Sequence, residues 1–268
     1  MIWRVTVSRL GLAFLTLILV SIMIFFALEA IPGDVATRIL GRFATEEQKE
    51  IFREAMNLDL PLHERYLSWI GGALQGDFGE SLASQRQVGE VIAPRLKNTL
   101  MLATYAFLLY VPITLILAIV SAINRNRPAD NAISILTLVG LSTPEFFLAT
   151  VLLLLFAVQV KAFPTMSVLE NAEGLGDHLR IMFLPALTLA IVTSVYGIRM
   201  LRDNLIEVLD ADYIKMARIK GLSSWQIAWR HAMPNAILPT LNVTALNLAY
   251  LIGGVVVVER VFAFPGMG

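Results

Sequence analysis

Residues 210–234 read DADYIKMARIKGLSSWQIAWRHAMP and lie between two long apolar stretches. Connections between elements are ordinarily short, whereas these 25 residues carry their own helix starts, breaker and apolar stripe. Asp210 or Asp212 is placed to cap a short helix, because a carboxylate accepts from free N–H groups and favours the positive helix end. That helix would run over 213–220, with Ala217 small enough for close approach of another surface. Gly221 would end it by taking the left-handed conformation. Ser223 then opens a second helix, and Gln226 three residues later completes a capping box. Trp225, Ala228, Trp229 and Ala232 follow the i, i+3, i+4, i+7 rule and predict one apolar, aromatic face. Pro234 and Pro239 punctuate the return to the next apolar stretch. The hairpin is thus an amphipathic surface that could rest on lipid headgroups or on a protein partner.

Outward from this loop the chain is built for lipid. Of its 268 residues only 16% are charged, against about a quarter in soluble domains, and its mean hydropathy is +0.70. Crossing roughly 30 Å of hydrocarbon takes about 20 mostly apolar residues. Five stretches meet that need, at about 10–30, 99–123, 132–160, 181–200 and 237–258. The first is too long for the apolar core of a signal peptide and ends without a small-x-small cleavage site, so it reads as an uncleaved span. The polar segment after it has helical patterning near 46–56 and 62–74 and reads as a small folded cap. Asp34, in Pro32-Gly33-Asp34, is placed to cap structure at the outer end of the first span.

Charge sets an expected orientation, because Lys and Arg in short loops stay in the cytoplasm. Arg4 and Arg9 precede the first span without an acid. Arg125 and Arg127 face Asp130 after the second, and the loop after the fourth carries Arg199, Arg202, Lys215, Arg218, Lys220 and Arg230. These three regions would be cytoplasmic, with the N-terminus inside. Net charge is zero, from 21 basic and 21 acidic residues, so nothing draws the chain to nucleic acid.

Catalytic signatures do not appear. The sequence has no G-x-x-x-x-G-K-[ST] phosphate loop, no G-x-S-x-G and no H-E-x-x-H. With zero cysteines, thiolate chemistry is excluded. His63, His178 and His231 lack a second ligand at metal spacing, so no metal site is expected. Glu145 lies midway along the third apolar stretch, and no other charge stands between Asp130 and Lys161. An ionisable residue there normally faces the bundle interior or a water-filled path. It could meet a cationic group of a cargo, or be a neutral or paired carboxyl. Ser142 and Pro144 beside it are candidates for the same path, and Pro144 would free a backbone carbonyl and kink the helix.

The loop resembles the EAA loop of bacterial ABC importer permeases through the spacing of Ala217, Gly221 and Pro234. Asp212-Tyr213-Ile214-x-x-Ala217-Arg218-x-x-Gly221-Leu222, with His231, Asn235 and Ala236, is most similar to the dipeptide/oligopeptide/nickel branch. Lys215 and Met216 stand where the general pattern has its Glu and first Ala. Further matches follow in order: Leu58-Asp59-x-Pro61 with Tyr66 and Trp69; Gly76-Asp77-Phe78-Gly79-x-Ser81; Ser142-x-Pro144-x-Phe146; Leu184-Pro185-Ala186; Arg199-x-x-Arg202; Gly253-Gly254; Glu259-x-x-Phe262; and Pro265-Gly266-x-Gly268.

The resemblance implies an all-α polytopic membrane protein with five spans present of an expected six. It implies a first region over 1–97, holding a span and an external α-rich segment, and a permease domain over 98–268. The loop at 210–234 would be a cytoplasmic two-helix coupling loop. Asp212, Tyr213, Ala217, Arg218, Gly221, Leu222, Trp225, His231 and Pro234 would dock an ATPase subunit. The implied role is a non-catalytic permease subunit of an ATP-driven importer of peptides or related small solutes in the bacterial inner membrane. Its partners would be a homologous second permease, two ABC ATPase subunits, a solute-binding protein and membrane lipid. ATP and magnesium would sit on the partners, with no cofactor in this chain. The residues alone leave two rivals: an ion-gradient-driven secondary transporter, and a membrane scaffold.

Overall fold

The apolar stretches fold as long helices in the computed structural model, which describes residues 2–31, 33–41, 43–81, 84–253 and 255–268. For residues 2, 38, 55, 171, 252 and 253 only the backbone is described. Pro32 and Gly254, both named above, lie outside the described residues. Contacts divide the chain into two compact units, Met1–Ile92 and Ala93–Gly268.

The first unit opens with α1 (Ile2–Glu29), followed by the short helices α2 (Val35–Leu40), α3 (Glu46–Ala55) and α4 (Leu62–Ala73). The two helices expected near 46–56 and 62–74 are α3 and α4. Asp34 is the N-cap of α2, accepting from the Thr37 backbone N–H at 3.1 Å and from its hydroxyl at 2.8 Å. The same carboxylate pairs with Arg53 of α3 at 2.9 Å. Hydrogen bonds from Arg53 and Thr37 hold the Asp34 carboxyl well below the usual carboxylate range. A Thr45–Gln48 capping box starts α3. Helix α4 is held to α1 by Arg65 on Glu29 at 2.6 Å, by the Ser21 and Tyr66 hydroxyls at 2.7 Å, and by Phe25 edge-on to Tyr66.

Helix α5 (Val88–Ile123) supplies the first long helix of the second unit. After it come α6 (Pro128–Ser142), α7 (Glu145–Leu152) running on through a π-helical turn at Leu153–Gln159, and α8 (Leu175–Leu209). The loop helices α9 (Asp212–Ile219) and α10 (Ser224–Gln226) follow. Another π-helical turn, Ile227–Ala232, leads into α11 (Met233–Gly253), and α12 (Val256–Val261) closes the order.

Helix α8 is the hub, packing against α6, α7, α11 and α12. Small residues permit the approach, as in other membrane bundles. A Cβ at Gly197 would lie 2.8 Å from the Tyr110 hydroxyl, and one at Gly140 would lie 2.9 Å from Val195 Cγ2. One apolar cluster joins Leu102, Ala106, Leu184, Leu189, Leu251 and Phe262. A second, towards the loop, joins Ile119, Leu205, Ile214, Ala217, Ile227 and Ala228. Polar side chains tie α11 inward: Asn204 donates to Thr240 at 3.2 Å, and Asn247 donates to Tyr110 at 3.3 Å and to the Thr193 carbonyl at 3.1 Å.

Three expectations change. The kink expected at Pro144 within the stretch at 132–160 is a full break, with α6 and α7 meeting at 111°. The cause is local: Pro144 has no N–H and drives Thr143 out of the α region, to φ −92°, ψ 121°. Second, Pro234 and Pro239 do not interrupt the return, since both lie within α11. The wide π turn ahead of Pro234 eases the clash between its ring and the carbonyl four residues back. Third, neither Asp210 nor Asp212 caps α9. Its N-cap is Ala211, without a side-chain bond, while Asp210 ends α8 and Asp212 sits in the first turn.

Among the described residues α1, α5 and α8 are each long and apolar enough to cross a membrane, and the bent pair α6/α7 makes a fourth candidate. Helix α11 occupies the fifth expected stretch. The chain is an all-α polytopic membrane protein.

Candidate functional site

The hairpin after α8 is rooted by its own apolar residues. Ile214 and Ala217 point inward from α9 and are buried, as are Ile227, Ala228 and Ala232. Gly221 has φ +79°, and a Cβ added there would meet nothing of this chain within 4 Å, so within the chain it is the backbone that demands glycine. The capping box is present, with Ser223 Oγ accepting from the Gln226 N–H at 3.3 Å and Gln226 Oε1 accepting from the Ser223 N–H at 3.1 Å. Asn235 Nδ2 donates to Tyr213 Oη at 2.9 Å, fastening α9 to the start of α11. At the base Arg125 reaches Asp210 at 2.9 Å.

With its root buried, the hairpin presents Tyr213, Met216, Ile219, Trp225 and Trp229, each between 45% and 78% exposed. The expected single face of Trp225, Ala228, Trp229 and Ala232 is therefore split. The two alanines are fully buried and the two tryptophans are not. A 3.6-residue repeat fails here because the π turn runs through Ile227–Ala232. Of the residues expected to dock a partner, Asp212, Tyr213, Arg218, Gly221, Trp225, His231 and Pro234 are exposed, Leu222 is half-buried and Ala217 is buried. Met216 and Ile219 were not among them. Their three-residue spacing from Tyr213 was the available signal.

The residues around the α6/α7 break occupy distinct places. Ser142 ends α6 and donates back to the Leu138 carbonyl at 3.1 Å. Pro144 is the N-cap of α7. Glu145 lies in the first turn of α7 and accepts from Tyr250 Oη of α11 at 2.6 Å. It has no basic partner among the described residues.

Two buried acids went unnoticed as interaction centres in the sequence. Asp130 is 2% exposed and accepts from Arg202 of α8 through two bonds of 2.7 Å, from Ser121 of α5, and from the Asn126 N–H at 2.9 Å. Glu259 is 1% exposed and accepts from Thr99 Oγ1 at 2.6 Å. A Cβ at Gly266 would collide with the Glu259 carboxylate. No group of three or more His, Asp or Glu among the described residues could hold a metal ion.

Comparison with known proteins places this arrangement. Residues 111–268 match the family of binding-protein-dependent transport system inner membrane components, and residues 2–103 match the N-terminal region of the same membrane components. The chain belongs to this family. It is an ABC importer permease of the type I class. The permease is 34% identical over 268 residues to a peptide transport system permease protein of Brucella melitensis biotype 1, covering 100% of this chain and 85% of that one. It is also 34% identical over 253 residues to the glutathione transport system permease protein of Escherichia coli K12, covering 94% and 80%. The permease is thus a multi-pass protein of the inner membrane.

Proposed function

We propose that this permease couples to an ABC ATPase through the 210–234 hairpin and admits peptides or related small solutes. The observation carrying the reading is the hairpin itself, rooted in a buried core and presenting Tyr213, Met216, Ile219, Trp225 and Trp229 outward. Exposed apolar and aromatic side chains on a buried root suit a partner groove. In this reading the N-terminus and hairpin are cytoplasmic, supported by the Lys and Arg excess in the short loops. A homologous second permease, two ATPase subunits and a solute-binding protein complete the transporter. ATP and magnesium reside on the ATPases. Closure of those subunits moves the hairpins, and a shift passes onward only because the hairpin makes different contacts in two states.

Glu145, with Ser142 and Pro144, lines the proposed path. Its carboxylate would meet a cationic group such as the amino end of a peptide. The peptide and glutathione names of the relatives support that cargo class. The test is the complete transporter in proteoliposomes carrying Met216→Asp and Trp225→Ala together, with ATP hydrolysis and uptake measured side by side. Loss of uptake with hydrolysis uncoupled or lost is expected. Unchanged ATP-driven uptake would sink the reading.

A further inference from the structure

A small polar cavity at the side of the hairpin shares Arg218 with the expected docking residues but none of the hairpin's exposed apolar side chains. It holds about 180 Å³. Arg125 and Arg127, from the α5–α6 turn, meet Asp210 at the end of α8, Arg218 of α9 and Ser224 of α10 around it, over an apolar floor including Leu209 and Ile227. None of Tyr213, Met216, Ile219, Trp225 or Trp229 lines it.

Its charge balance is uneven. Three guanidinium groups meet one carboxylate, and Arg125 already takes that carboxylate at 2.9 Å. Arg127 and Arg218 make no ion pair or side-chain hydrogen bond among the described residues, and the Ser224 hydroxyl makes none either. Like charges converging from separate elements repel, so the arrangement gains if an anion enters. A guanidinium fork matches phosphate oxygens, and a serine hydroxyl adds a donor. The elements meet at the ends of long apolar helices, where basic pockets between spans face phospholipid headgroups.

We propose that this cavity binds the phosphate of an anionic phospholipid. Bound there, the headgroup joins Arg218 and Ser224 of the hairpin to Arg127 of the bundle and steadies the lever. The assignment of the lipid leaflet rests on the orientation given under the proposed function, whereas the phosphate chemistry does not. A carboxylate from an ATPase subunit is the competing occupant. The observations favour phosphate because the residues suited to an apolar protein contact lie outside the cavity.

The experiment uses the complete transporter in detergent, with bound lipid read by native mass spectrometry after incubation with phosphatidylglycerol or phosphatidylcholine. Inorganic phosphate, followed by calorimetry, serves as the soluble arm. Wild type should retain phosphatidylglycerol over phosphatidylcholine. Arg127→Gln and Arg218→Gln should each lower that retention by about fivefold, the worth of one basic residue near an anionic surface. Arg260→Gln, outside the cavity, should leave it unchanged. Arginine-dependent phosphate binding without lipid preference would keep the phosphate site and move its source to solution. Equal retention in wild type and the Arg127→Gln/Arg218→Gln double variant overturns the proposal. So does retention seen only after the ATPase subunits are stripped away and lost when they return. Lipid binding is read without ATP, so its failure is distinct from failed coupling.

Discussion

Arg202 grips Asp130 with two edges of its guanidinium, Nε to Oδ1 and Nη2 to Oδ2, each at 2.7 Å. The grip spans α8 and the first turn of α6, and Ser121 of α5 joins it. Replacing Arg202 by Leu leaves a carboxylate buried without its cation, which costs about 3–5 kcal/mol when a buried pair is broken. Partial exposure of Arg202 puts the expected loss at the lower end. Thermal unfolding in detergent should show a clear fall for Arg202→Leu and a smaller one for Arg202→Leu combined with Asp130→Asn. Equal stability of Arg202→Leu and wild type would show that the grip does not hold the bundle together.

At Gly221 the demand is conformational, because the backbone has φ +79° and the surroundings are open. Gly221→Val should destabilise the hairpin by roughly 1–2 kcal/mol, the left-handed penalty for a residue with a Cβ. Gly221→Asn should lose much less, since Asn tolerates that region. Uptake by the complete transporter should follow the same order. Identical losses for Val and Asn would point to crowding in the assembly instead.

Helix packing at Gly197 makes the opposite demand. There a Cβ would meet Tyr110 Oη at 2.8 Å and Thr114 Cγ2 at 3.0 Å. Gly197→Ala should cost about 1–3 kcal/mol by overpacking. Adding Tyr110→Phe removes the nearest atom and should recover part of the loss, a coupling that a double-mutant cycle measures. Strict additivity would contradict direct contact.

Glu145 and Tyr250 are joined at 2.6 Å where the α6/α7 pair bends. If the carboxylate meets a cationic cargo group, Glu145→Gln should raise the uptake KM for a peptide with a free amino end. An N-acetylated peptide should be carried equally by variant and wild type. Parallel losses for both peptides would assign Glu145 a structural part only.

For Asp34 the sign follows from its lowered pKa. The Arg53–Asp34 contact contributes fully above the ordinary carboxylate value of 3.8 and is lost as pH falls through the lower folded value. Protease sensitivity of the α2–α3 corner should therefore stay constant from neutral pH down to that ordinary value, then rise in more acid solution. In Asp34→Asn this acid step should be absent. A step that persists in the variant would assign it to other carboxylates.

Much of this molecule was legible in single side chains and local spacing. Apolar runs long enough for lipid marked the helices at α1, α5 and α8, and Gly221, Ser223 and Gln226 marked the hairpin's turn and second start. Each is a decision made within a few residues, by backbone permissiveness or by a nearby capping oxygen. Tertiary structure alone decided what depends on neighbours distant in sequence. It packed Ala217 into the root of the hairpin, and parted Trp225 and Trp229 from Ala228 and Ala232 through a π turn. It brought Arg202 to Asp130, Tyr250 to Glu145, and Arg127 and Arg218 to one cavity. Periodicity assumes one helical repeat and no partners, whereas buried charge and packed small residues are settled by whatever the fold sets opposite them.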